Sequence, residues 1–220
     1  MLAAMSAPEA ELYVAPGCPY CPRVRAALER LRADGAIGAL RVVDISREPE
    51  RARALGIRAV PWLRLGPLEL QGLHTEGELR EWARAAAGDT RALARYVEQE
   101  LAAGRLEAMT RRAADEPARW VPALLSLLAD EETDLKARFG VSALLEQLAA
   151  EGRLGEWIEA LGELTRSERP GVRADAAHLL GLTGDPAARR WLEPLLADAN
   201  PDVREIAAEA LETLSRGAGT

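Results

Sequence analysis

The stretch Glu11-Leu12-Tyr13-Val14-Ala15-Pro16-Gly17-Cys18-Pro19-Tyr20-Cys21 passes from a strand through a turn into a helix. Glu11 to Ala15 carries the β-prone residues of a short strand, and Pro16-Gly17 ends it. From Cys21 to Ala33, the residues Val24, Leu28 and Leu31 recur at helical spacing and mark one apolar face. Working outward, Leu40 to Asp44 reads as a buried strand by its β-branched run, and Pro49 to Leu55 as a short helix stopped by Gly56. Trp62 to Leu65 and Leu68 to Gln71 form two strands turned by Gly66-Pro67, and Thr75 caps a last helix running to about Ala87. The order β-α-β-α-β-β-α predicts an α/β unit over residues 1–88, a mixed sheet with helices on its faces.

The 220 residues, 48% hydrophobic and 29% charged, have a globular balance that excludes a disordered chain, a collagen-like fibre and a disulfide scaffold. Aromatics are 4%, with Phe139 the single phenylalanine, which favours aliphatic helix packing over a β-sandwich. Residues 1–88 carry a net charge of +1 and residues 89–220 a net charge of −8, so the chain changes character near Gly88. An acidic second half lacks the basic stripe that phosphate neutralisation needs, which argues against nucleic acid as a partner. No apolar run approaches the roughly 20 residues of a membrane span, so no membrane partner is expected. The start MLAAMSAPEAE has neither a basic nor an apolar leader segment. A soluble, cytoplasmic chain is the expectation. Both cysteines, Cys18 and Cys21, lie in the first half at CxxC spacing, which in that compartment speaks of redox chemistry or half a metal site.

Cys18-Pro19-Tyr20-Cys21 sits at a strand–helix junction, and Gly56-Ile57-Arg58-Ala59-Val60-Pro61 precedes a later strand. On these two motifs residues 10–87 resemble the thioredoxin and glutaredoxin superfamily, with a compact size closer to glutaredoxin. The resemblance implies a redox-active Cys18–Cys21 disulfide facing a cis-Pro61. It places Cys18 at the helix N-cap as attacking nucleophile, where free amides and the helix dipole favour a thiolate, with Pro19 at the first helical position. Cys21, one turn further in, is the shielded resolving thiol. Pro19, Tyr20, Val60 and Pro61 are the expected substrate-binding residues: Tyr20 flanks the mouth of the groove, and Val60 offers its backbone to a substrate chain in strand-like fashion. No metal is expected, since Pro61 hinders metal binding at the thiols, and no cofactor beyond the disulfide.

Three departures shape the expectation. Pro22 follows Cys21, removes an amide and crowds the Cys18 carbonyl, so the first turn should loosen. Leu12 stands where many thioredoxins bury an acid. Val14-Ala15-Pro16 lacks the lysine, and Gly72-Leu73-His74-Thr75-Glu76 the glycine–acid pattern, with which glutaredoxins hold glutathione. A donor other than glutathione is therefore expected. His74 reads as a turn residue, His178 as a helix residue, and Arg23 and Arg25 as solvated side chains.

Beyond Asp89-Thr90 a helix runs from Arg91 to Ala103, and from there the sequence repeats itself. Arg119-Trp120-Val121-Pro122-Ala123-Leu124, Glu156-Trp157-Ile158-Glu159-Ala160-Leu161 and Arg190-Trp191-Leu192-Glu193-Pro194-Leu195 share one pattern. Each precedes a second helix, clearest at Pro170-Gly171-Val172-Arg173 and Pro201-Asp202-Val203-Arg204. The pattern resembles the HEAT repeat. Residues 89–115 are then capping or bridging helices, and residues 116–220 an α-solenoid of three HEAT-like repeats whose pairs cover one another's apolar stripes. Trp120, Trp157, Trp191, Leu124, Leu161 and Leu195 are expected in the core. Ala176, Ala177, Ala207 and Ala208 should let helices approach, and Arg173 and Arg204 should pair with Asp175, Asp198 or Asp202. The expected activity is thiol–disulfide oxidoreduction, with the array binding a protein disulfide substrate or partner. The alternative is a non-catalytic scaffold whose CxxC senses redox state.

Overall fold

A computed structural model describes residues 7–217. The N-terminal stretch read above for a leader lies largely outside the described residues. The chain divides into two compact units, one ending at Tyr96 and the other starting at Val97.

The first unit is a four-stranded sheet in the order β2-β1-β3-β4, built from β1 (Ala10–Val14), β2 (Leu40–Asp44), β3 (Trp62–Leu65) and β4 (Leu68–Gln71). β1 pairs in parallel with β2 and antiparallel with β3, and β3 pairs antiparallel with β4. The pleat sends Leu12, Leu63, Leu65, Leu68 and Leu70 to one face, all buried. The helices α1 (Cys21–Ala33) and α3 (Glu76–Ala86) contribute Val24, Leu28, Leu31, Leu79 and Ala83 to the core. On the other face Tyr13, Val43 and Trp62 pack with Ile45, Leu55, Ile57 and Val60, around α2 (Pro49–Ala54). The order β-α-β-α-β-β-α is the one expected. Gly66 takes the hairpin turn at φ 54°, a left-handed conformation that a side chain disfavours. Thr75 caps α3 in a full capping box with Glu78.

One element departs from its reading. β2 is an edge strand, so Arg41 and Val42 are exposed and only Val43 is fully buried. A β-branched run reports strand propensity, and position in the sheet decides burial.

The division between the units falls at Tyr96, past the expected boundary at Gly88. Helix α4 (Thr90–Ala102) runs through it. Tyr96 is buried, meets Trp82 edge-to-face at 5.9 Å, donates its hydroxyl to the Glu69 carbonyl (3.2 Å) and accepts from the Glu69 amide (3.3 Å). The start of α4 thus completes the core of the sheet unit.

The second unit is helical. After α5 (Leu106–Asp115), the pairs are α6 (Pro117–Ala129) with α7 (Leu135–Ala150), and α8 (Ile158–Leu164) with α9 (Pro170–Leu182). The third pair is α10 (Arg189–Leu192), flanked by 3-10 turns, with α11 (Pro201–Gly217). Leu124, Leu161 and Leu195 are buried as expected. Of the three repeat tryptophans, Trp120 is buried, and Trp157 and Trp191 are half-buried. Trp120 sits inside a continuous helix, whereas Trp157 ends a 3-10 turn and Trp191 lies in a four-residue helix. Trp191 instead lies flat on Gly162, where a Cβ would come within 2.1 Å of the indole, with Arg166 over the ring at 4.8 Å.

Ala176, Ala177 and Ala207 are buried at helix contacts, but Ala208 faces solvent. α9 and α11 come close at Gly181, where a Cβ would stand 2.7 Å from that of Ala210. The fourth residue of each second helix donates to backbone carbonyls preceding its own helix: Arg138 to Leu128 in the last turn of α6 and to Asp130, Arg173 to Ser167 and Glu168, and Arg204 to Asp198 and Ala199. Arg173 also takes both carboxylate oxygens of Asp198 at 2.7 Å. Among the described residues Arg204 bonds carbonyls and no carboxylate, so the arginine–aspartate pairing is present there at one of the two expected positions.

The Arg173 hydrogen bonds, helped by the Asn200 amide, hold the Asp198 carboxyl below the usual carboxylate range. Asp198→Ala leaves the enclosed guanidinium uncompensated and is expected to cost about 3 kcal/mol of stability in denaturant unfolding. A depressed native pKa means the pair's contribution is complete above about pH 4 and is lost as pH falls through the native value. The acid limb of the melting-temperature profile should therefore be shallower in Asp198→Ala than in the parent. Among the described residues no helix is long and apolar enough to cross a membrane.

Candidate functional site

β1 delivers the chain to Ala15, and the Cys18 amide donates back to the Ala15 carbonyl at 3.3 Å, closing the turn. Cys18 and Cys21 are joined in a disulfide with Cα atoms 5.6 Å apart. Cys18 is half-buried, whereas Cys21 is 5% exposed, so Cys18 is the more accessible of the two cysteines. Pro19 and Tyr20 are exposed beside it, Tyr20 at 50%.

The helix does not begin where the sequence suggested. Tyr20 is the N-cap and Cys21 the first residue of α1, so Cys18 lies ahead of the cap and Pro19 outside the helix. Pro22 is the reason: it has no N–H to give the Cys18 carbonyl, and the first helical bonds go instead from Arg23 and Val24 to the Tyr20 carbonyl. Pro22 falls within the first turn, where no donor is required. The Cys18 sulfur still accepts the Cys21 amide at 3.2 Å, so one free amide of the helix start faces it.

The Val60–Pro61 peptide is cis, as the resemblance implied. The Val60 carbonyl oxygen stands 3.8 Å from the Cys18 sulfur, and the Pro61 carbonyl accepts the Gly72 amide at 2.8 Å. All six expected site residues therefore come from two segments, and the Cys18–Val60 approach joins them. Arg23 and Arg58, next to the two segments in sequence, are exposed, and neither has an ion pair among the described residues; Arg25 pairs with Glu29. Leu12 is fully buried, so the position of the thioredoxin acid is occupied by hydrocarbon.

A support behind the cis-proline escaped the sequence reading. Tyr13 meets Trp62, the residue after Pro61, edge-to-face at 5.2 Å, and its hydroxyl accepts from Arg51 at 2.9 Å and donates to Glu11 at 3.1 Å. Arg51 closes the triangle on Glu11 at 2.6 Å. The available signal was the alternation along β1, which turns Glu11 and Tyr13 to the face opposite Leu12.

His74 lies between β4 and α3 in a groove of about 400 Å³ shared with Arg23, Arg30, Leu73 and Glu76. Burial pushes its imidazole below the ordinary histidine pKa, and its Nε2 has no hydrogen-bond partner among the described residues. His178 is an exposed α9 residue whose Nε2 is 3.6 Å from Glu146. Among the described residues no three His, Cys, Asp or Glu side chains cluster as metal ligands would.

Two family models match the chain: "Glutaredoxin" over residues 10–66 and "HEAT repeats" over residues 121–212. A curated protein of Archaeoglobus fulgidus described as "Probable Thioredoxin" is 31% identical over 80 residues, which are 36% of this chain and 88% of that protein.

Proposed function

Since the chain belongs to the thioredoxin family, with a glutaredoxin-type domain joined to HEAT repeats, we propose that it is a cytoplasmic thiol–disulfide oxidoreductase whose helical unit binds the protein it acts on. The observation that carries this reading is the Cys18–Cys21 disulfide with its outer sulfur 3.8 Å from the carbonyl before a cis-proline.

In the reduced protein, the Cys18 thiolate attacks one sulfur of a substrate disulfide. A Cys18–substrate bond forms, the substrate S–S bond breaks, and the second substrate sulfur leaves as a thiolate that takes up a proton. Cys21, having lost its proton to solvent, then attacks the Cys18 sulfur. The Cys18–Cys21 bond forms and the remaining substrate sulfur leaves as a thiol. Two electrons pass to the substrate, and an external dithiol returns them. No prosthetic group is needed. Val60 and Pro61 present backbone to the substrate segment, and Pro19 and Tyr20 border it.

The test is steady-state reduction of a protein disulfide with a dithiol donor, together with Cys21→Ser as a trap for proteins held on Cys18. Many turnovers per chain support the reading. A single stoichiometric oxidation with no turnover refutes it in favour of a redox-sensing scaffold.

Glutathione with glutathione reductase is expected to support turnover at least about tenfold less efficiently than a dithiol donor, because Val14-Ala15-Pro16 supplies no lysine to hold a glutathione carboxylate. Saturable turnover with glutathione at the dithiol rate would remove that expectation.

A further inference from the structure

The inward face of α7 is complete without two of its largest side chains. Ala137, Val141, Leu144, Leu145, Leu148 and Ala149 are its buried residues, while Leu135 and Phe139, one turn apart, are 66% and 70% exposed. Burying a phenylalanine is worth about 1.5–3 kcal/mol relative to leaving it in water, so this pair contributes little to the fold of the second unit. The same stripe continues at helical spacing through Ser142 to Glu146. There α7 meets α9, and Glu146 lies 3.6 Å from His178.

One turn before His178 on α9 is Asp175, half-buried. Its carboxylate has no hydrogen bond or ion pair among the described residues. The facing charges are Arg138 and His178, which favour the ionised form, and Glu146, which opposes it; burial prevails and raises the pKa. Arg138 is already committed to the carbonyls of Leu128 and Asp130. The contrast within the array is direct: the Asp198 carboxylate holds a guanidinium on both oxygens, and the Asp175 carboxylate holds none. Here a carboxylate is half-removed from water beside a second, exposed one, and an exposed apolar pair lies about 10 Å along the same helix.

We infer that this α7–α9 surface docks a basic amphipathic helix of a partner protein, with apolar side chains on Leu135 and Phe139 and an arginine reaching Asp175 and Glu146. The inference rests on the recognition role proposed above for the helical unit. A helix fits because its own seven-residue spacing, about 10.5 Å, equals the Phe139–Glu146 separation when it lies along α7. Arginine fits better than lysine, since its fork can satisfy both oxygens of a half-buried carboxylate. The net −8 of residues 89–220 attracts such a segment and repels an acidic one. A second copy of this chain, paired about a two-fold axis through the seam, would bring Asp175 and Glu146 against their own images and is disfavoured.

The probe is a labelled synthetic helix bearing two leucines one turn apart and two arginines two turns further on, titrated into the full-length protein by fluorescence anisotropy. A second probe has glutamates in place of the arginines. The expected result is saturable binding of the first probe only. Phe139→Ser and Asp175→Asn should each weaken it at least about tenfold, and it should weaken further as salt is raised. Glu146→Gln serves as a second charge variant, and far-UV circular dichroism confirms that each variant is folded. Unchanged affinity in Phe139→Ser and Asp175→Asn overturns the inference, as does a parent dimer that Phe139→Ser dissolves. Peptide binding is read without any redox step, so absent turnover would overturn the proposed function while variant-insensitive binding would overturn this one.

Discussion

Cys18→Ser is expected to reduce dithiol-dependent disulfide reduction to background, while Cys21→Ser keeps one rapidly alkylated thiol and accumulates mixed disulfides. The reason is access together with polarity. Cys18 is the more accessible cysteine and its sulfur accepts the Cys21 amide at 3.2 Å, whereas Cys21 is 5% exposed at the start of α1. Attack requires the thiolate and an open approach to the substrate sulfur, and only Cys18 combines the two. Removing Cys18 deletes the bond-forming atom, so no residual pathway through the dithiol survives. Removing Cys21 deletes only the second step. Mass-spectrometric mapping of a brief iodoacetamide pulse on the reduced parent checks the order; faster labelling of Cys21 than of Cys18 would reverse the assignment.

Truncation offers the second large effect. A fragment ending at Gly88 is expected to lose its cooperative thermal transition, whereas one ending at Gly104 should melt cooperatively and reduce a small disulfide at close to the full-length rate. The shorter fragment lacks Ala92, Leu93 and Tyr96, all buried, and exposes Trp82. Tyr96 alone buries about 150–250 Å² of ring and backbone surface. Burying an aromatic side chain is worth about 1.5–3 kcal/mol, and with Ala92 and Leu93 lost as well the deficit becomes comparable with the whole stability of a small domain. Tyr96→Phe in the longer fragment keeps the ring and removes the hydroxyl with its bonds to Glu69, so it should cost about 1 kcal/mol. A shorter fragment that melts within a few degrees of the longer one would show that α4 is dispensable to the sheet. Loss of small-disulfide activity in a folded longer fragment would mean that the remaining helices help to build the site.

Local chemistry made much of the molecule legible. Period-two and period-3.6 patterns place every strand and most helices of the first unit, because those patterns are what a two-sided sheet and an amphipathic helix impose on any chain. Cys18-Pro19-Tyr20-Cys21 and Val60-Pro61 announce the site for the same kind of reason: a thiol pair closing across one turn and a proline before a strand are short-range features. The spaced tryptophans and the Val-Arg pairs likewise reveal the helical repeats, since a stacking unit must carry its contacts at a recurring interval, even where loop lengths vary it.

What required the tertiary structure was each outcome set by residues distant in sequence. Whether Val42 is covered depends on which strand ends at the sheet edge. Tyr96 belongs to the sheet unit because Trp82 and the Glu69 backbone need a cover, not because of any composition change at Gly88. Trp157 and Trp191 match Trp120 in sequence, yet breaks in their helices and a glycine floor under Trp191 leave them half-buried. Asp175 and Asp198 read alike along the chain. Only the packing of α9 gives Asp198 a guanidinium and leaves Asp175 without one, because the reach of an arginine is settled by helix approach across repeats. Periodicity thus determined the elements and the thiol pair; burial, pairing and the domain boundary, which depend on what arrives from elsewhere in the chain, were decided by the fold.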